Sequence, residues 1–160
     1  MSANASGGKA ESPLAAILWG GCIAGVLDIA YAIGMGMRGG GTAARTLKSV
    51  ASGLLGRDAF QGGDSIAALG LLLHFVIALG WAVFFFVLSR KIPWLLRQPW
   101  LSGPLFGALV YLAMNRAIVP LSAAPFTLPM RWSGLAIHMF GVGLPIALAA
   151  WWFSAPRIRR

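Results

Sequence analysis

Acidic side chains are scarce in this sequence: four Asp and Glu stand against thirteen Lys and Arg, and charged residues make up 11% of the 160 positions. So little charge excludes a water-soluble domain, whose apolar core would need far more polar surface to cover it. A single cysteine, Cys22, rules out an intramolecular disulfide and leaves the redox compartment open; its place in an apolar run suits a small packing residue. Other absences remove whole chemistries. The serines lie mainly in loops and no nucleophile elbow occurs, which argues against Ser-His-Asp hydrolysis. Gly39, Gly40 and Gly41 lack the lysine and hydroxyl residue of a phosphate loop. No lipidation motif or receptor-read address is evident. Nor does an internal repeat mark an inverted-repeat transporter. The basic loops show no organised nucleic-acid reader. The net charge of +9 therefore points to anionic lipid headgroups rather than nucleic acid.

What the chain has in abundance is apolar length. Apolar residues reach 58% and the mean hydropathy is +0.77. Four runs, at about 14–33, 66–88, 101–119 and 134–153, each approach the roughly 20 residues a helix needs to cross the hydrocarbon. The expected fold is an all-α membrane protein with four transmembrane helices, occupying residues 13–156. Trp19, Trp81, Trp100, Trp132, Trp151 and Trp152 lie in or beside the runs, several near the ends where amphipathic rings favour headgroups.

The long first connection carries a further element. Residues 34–41, rich in Gly and Met, are expected to bend rather than hold a helix. From Thr42 onward Ala43, Leu47, Val50 and Leu54 recur at helical spacing, predicting an amphipathic helix at about 42–55 that ends at Gly56. It would lie along the membrane surface or cap the bundle. Asp64 or Ser65 is the expected N-cap of the second crossing. Pro93 and Pro99 bracket the next link, and Pro120, Pro125 and Pro129 punctuate the last one, stopping helices there. Residues 1–12 are expected to form a flexible tail and 157–160 a basic one.

Basic residues set the expected orientation, because Lys and Arg are retained in the cytoplasm during insertion. Lys9, Arg90, Lys91, Arg97, Arg157, Arg159 and Arg160 share one side; Arg38, Arg45, Lys48, Arg57 and Arg131 share the other. The first group crowds the helix ends, which places both termini inside. A competing reading treats the first run as a cleaved signal with Ala30, Tyr31 and Ala32 as its small-x-small site. The long, weakly basic segment before it and Asp28 oppose that reading.

Polar residues inside the four runs fall on faces of small residues. Gly21, Gly25, Asp28 and Ala32 share one face of the first run, and Gly70, His74, Ala78 and Trp81 one of the second. Gly103, Gly107, Tyr111 and Asn115 share a face of the third; Gly134, His138, Gly141 and Pro145 share one of the fourth. Small residues let helices approach closely in lipid, so Gly21, Gly25, Gly70, Gly103, Gly107, Gly134 and Gly141 are expected at helix contacts. The polar groups then converge at roughly 6 to 12 Å from one membrane surface. Asp28, His74, Asn115 and His138 form the candidate site, with Tyr31 and Tyr111 as further members. Mutual hydrogen bonds among them would offset the cost of burying ionisable groups. Arg116 is open to two readings. It either snorkels outward beside Leu105, Leu109 and Leu112 or curls back toward Asp28.

A family pattern runs through these elements: Ile23, Ala24, Gly25 and Val26; His74 and then Pro93; Gly103 and Gly107; and Pro120, Leu121, Pro125, Phe126, Leu128 and Pro129 before His138. In order and spacing it resembles the bacterial YagU-like inner-membrane proteins. The resemblance implies a multi-pass bacterial inner-membrane protein and places His74 and His138 in matching motifs; it implies no reaction, substrate or cofactor, and Asp28 lies outside it.

Three functions stay open on these grounds. The first is a non-enzymatic scaffold or interaction protein with the bilayer, a second copy or another membrane protein as partner. The second is a small transporter in which Asp28 and the histidines take up a proton. The third is a haem protein with His74 and His138 as axial ligands. A zinc site lacks close ligand spacing, so no metal or cofactor is expected, and no catalytic residue is assigned.

Overall fold

The computed structural model describes residues 11–154 of the chain. The tail expectation for residues 1–10, the basic segment 157–160, Lys9 and the three last arginines lie outside the described residues. Helix α1 spans Pro13–Arg38, α2 Ala43–Leu55, α3 Asp64–Lys91 and the single turn α4 Trp94–Arg97. Two further long helices, α5 (Pro99–Leu121) and α6 (Trp132–Trp152), complete an all-α multi-pass membrane architecture. Four of these helices, α1, α3, α5 and α6, are long and apolar enough to cross a bilayer.

The helices pack in a chain rather than a closed square. Helix α1 lies between α3 and α6, and α6 in turn packs on α5, whereas α3 and α5 make no extensive backbone contact. They meet through rings: Trp81, Phe84 and Phe85 of α3 surround Phe106 of α5, with the Phe85 and Phe106 centroids 4.9 Å apart. Around this cluster lies the core, made of Ala24, Leu96, Val110, Ile146 and Ala147 among others. The outer faces carry Leu14, Trp19, Val26, Leu72, Trp100 and Trp132, all more than half exposed, as suits helices solvated by lipid. Glu11 and Arg90 join the start of α1 to the end of α3, and the Ser12 amide donates to the Phe153 carbonyl, so these ends meet on one side.

Glycine sets the closest approaches. A Cβ on Gly107 would overlap the His138 carbonyl, one on Gly143 would overlap the backbone of Gly103 and Gly107, and one on Gly70 would overlap the Leu47 carbonyl. Gly21 packs on Leu79, Gly25 on Phe75 and Ala78, and Gly134 on the Tyr111 ring. Of the expected contact glycines, Gly141 departs from the pattern: a Cβ there would meet Ile137 of its own helix, and Leu27 at an ordinary 3.6 Å. Gly143 makes the α5 contact in its place. The cause is a π turn at His138–Gly143, whose extra residue rotates the helix beyond it.

Helix α5 carries a matching π turn at Met114–Ile118. Each π turn is followed by one residue and then a proline, Pro120 or Pro145. Proline has no N–H to donate and its ring presses on the carbonyl four residues back, and widening the preceding turn relieves both problems. Pro120 therefore sits within the last turn of α5 instead of beyond it.

Two local expectations are corrected. Helix α1 runs through Gly34 and Gly36 to Arg38, because Gly36 packs directly on Thr46 of α2 and tertiary contact outweighs weak propensity. The chain turns only at Gly40, whose φ of 79° suits glycine. At α3 the N-cap is Gly63, with no side-chain cap; Asp64 occupies the first turn, where its charge complements the helix dipole. Helix α2 itself follows the sequence closely. The Thr42 hydroxyl accepts from the Arg45 amide at 3.1 Å, and Gly56 closes the helix with φ 64°. It caps the bundle end rather than lying free on a surface: Ala51 and Ser52 are fully buried, and the Ala123 amide donates to the Gly53 carbonyl.

Candidate functional site

The open angle between α3 and α5 leaves a cavity of about 600 Å³, covered at its outer end by α2 and the segment after α5. Its floor is made by Ala24, Ala78, Trp81, Val110 and Val142, beyond which the Phe85 and Phe106 cluster closes the bundle. Asp28, Tyr31, His74, Tyr111, Asn115 and His138 all line it. A second hollow of about 340 Å³, reached past Thr42, Arg45 and Phe60, shares Gly36, Thr46, Ser49 and Phe126 with the main cavity.

The expected residues come together around one cavity, but their side chains hydrogen-bond to backbone carbonyls rather than to each other. The His74 Nε2 lies 2.9 Å from the Gly25 carbonyl, and the His138 Nδ1 lies 2.9 Å from the Gly134 carbonyl. A carbonyl accepts but never donates, so each of these ring nitrogens carries the proton. In the neutral rings His74 Nδ1 and His138 Nε2 remain as acceptors. The Asn115 amide donates to the Tyr111 carbonyl at 2.8 Å, which fixes its orientation by the same logic. Only the His74 bond crosses between helices, where Gly25 allows close approach; His138 and Asn115 each bond back to the carbonyl four residues earlier in their own helix.

Asp28 has no hydrogen bond among the described residues, and its Oδ1 lies 3.8 Å from the His138 Nδ1. Its side chain is 24% exposed, against 16% for His138. Asn115 is buried, at 7% exposure, and its Oδ1 has no partner. Tyr111, also buried, is saturated: its hydroxyl accepts from the Arg131 amide at 2.6 Å and donates to the Arg131 carbonyl at 3.0 Å, while its ring stands 5.1 Å from that of His138. Tyr31 and Ser133 share a hydrogen bond of 2.7 Å. Asn115 and His138 both sit in π turns, on facing helices. The two proline positions were the available sequence signals for that feature.

Arg116 is not part of the cavity. It is exposed on the outer stripe with Leu105, Leu109 and Leu112, which are 54%, 50% and 48% exposed. This is the snorkelling position. No group of three or more His, Cys, Asp and Glu among the described residues is placed to hold a metal ion. His74 also suits a bis-histidine haem poorly, since its Nε2 is taken by the Gly25 carbonyl.

No family model, curated protein or solved structure matches the chain. The YagU-like resemblance therefore rests on the residues quoted for it.

Proposed function

We propose that this chain is a multi-pass bacterial inner-membrane protein, without catalytic activity, that holds a small amphipathic solute in the cavity beneath α2. The observation that carries this reading is the cavity itself, about 600 Å³, with apolar walls and a few convergent polar side chains. Arg90, Lys91 and Arg97 gather at the opposite end from α2, which supports cytoplasmic termini and a cavity facing the periplasm.

Two features bear on the competing readings. The small-residue faces that favoured an oligomeric scaffold are used within the chain, by α1 with α3 and by α5 with α6. Between the cavity floor and the Arg90 end the interior is packed by Trp81, Phe85 and Phe106, which favours access from one side over a through-route. Binding is the simpler use of such a site.

Binding of phenethyl alcohol, 3-phenylpropionate and phenethylammonium to full-length protein in nanodiscs tests the reading, with empty nanodiscs as the partition control. At least one of the three is expected to bind saturably, and Met114→Trp, which fills the cavity wall, is expected to abolish it. Failure of all three to bind above the control overturns the proposal.

A further inference from the structure

Apart from the Arg131 guanidinium nearer the mouth, the polar side chains of the cavity are dominated by acceptors. Asn115 Oδ1 is buried, unpartnered and committed to accepting, because its amide nitrogen is held by the Tyr111 carbonyl. The Asp28 carboxylate offers acceptor oxygens with no hydrogen bond from any described residue. In the neutral tautomers, His138 and His74 spend their protons on Gly134 and Gly25, so neither ring has a second N–H to give. Tyr111 is taken by both backbone groups of Arg131, and Tyr31 and Ser133 share one hydrogen bond that leaves a single hydroxyl proton between them. A site built of acceptors calls for a donor.

Resting on the binding function proposed above, we infer that the solute is an organic ammonium: a protonated amine whose N–H groups reach Asp28 and Asn115 and whose apolar body fills the walls around Trp81. An ammonium offers up to three donors and no acceptor, and its charge compensates a carboxylate held at membrane depth. Tyr31, Trp81 and Tyr111 add aromatic surfaces that favour a cation. The unsatisfied Asn115 oxygen is the second, independent sign. A buried acceptor costs stability unless something donates to it, and no described residue does. Arg45 and Arg131, nearer the mouth, are the competing feature, since they favour an anion.

The test compares three molecules of one shape on the full-length protein in nanodiscs: phenethylammonium, phenethyl alcohol and 3-phenylpropionate. Phenethylammonium is expected to bind about tenfold or more tightly than either of the others, the range of a charge-assisted hydrogen bond. Asp28→Asn is expected to lower ammonium affinity by about tenfold, and Asp28→Glu to keep most of it. Asn115→Leu, which removes the second acceptor, should weaken it about threefold or more. Variants are compared as monodisperse protein of unchanged helicity. Equal binding of all three molecules, preference for the carboxylate, or ammonium affinity unmoved by both Asp28→Asn and Asn115→Leu overturns the inference while leaving solute binding in place. Binding of none removes the underlying function as well.

Discussion

The α-carbon of Gly107 lies so close to the backbone carbonyl of His138 that a methyl group at position 107 would overlap it. One glycine thus couples the packing of α5 on α6 to the placement of a cavity histidine. The carbonyl it touches belongs to the first residue of the π turn, so the wide turn and the close helix contact coincide.

Gly107→Ala is expected to destabilise the bundle by about 1–3 kcal/mol, the usual cost of forcing volume into a packed interface. The neighbours are backbone atoms of His138 and Met139, which cannot swing aside as a side chain can. Thermal unfolding in detergent measures this. Ala at Gly34, where a Cβ meets nothing, is the matched control and should hold the midpoint or raise it slightly through better helix propensity.

Tyr111→Phe removes a hydroxyl that serves both the amide and the carbonyl of Arg131. Each stranded backbone group costs on the order of 1 kcal/mol, so a loss of about 1–3 kcal/mol is expected. The entry to α6 should loosen with it. Amide hydrogen exchange at Arg131 reports this directly, and protection equal to wild type would show that the hydroxyl does not anchor the segment.

Asn115→Leu should move stability the other way. It removes a buried oxygen without a partner, gives up one hydrogen bond to Tyr111, and adds apolar volume toward the cavity. A gain of about 1 kcal/mol is expected in ligand-free protein, with weaker solute binding as its cost. A lower unfolding midpoint would mean that the oxygen is satisfied in the membrane.

Orientation can be read by thiol labelling. Cys22, the single cysteine, lies on an exposed face of α1 and is first replaced by alanine. In that background Arg57→Cys, beside the α2 end, is expected to react with a membrane-impermeant maleimide in intact spheroplasts, and Arg97→Cys only after lysis. The reverse pattern would place the cavity on the cytoplasmic side.

Sequence alone determined the class, the four crossings and the amphipathic helix of the first connection, because hydropathy over about twenty residues and helical spacing are local quantities summed along the chain. It also brought Asp28, His74, Asn115 and His138 to one end of the bundle, since small residues mark helix contacts and successive helices alternate direction. Tertiary structure decided what those residues do with their hydrogen bonds. Proximity between helices offered His74 the Gly25 carbonyl, while His138 turned to a carbonyl of its own helix, one turn away. The π turn before Pro145 moved the α6 contact from Gly141 to Gly143, a shift that a wheel of constant 3.6-residue pitch does not contain. The cavity, too, belongs to the tertiary level: it exists because α3 and α5 meet through large rings at one end and leave the other end to be covered by α2.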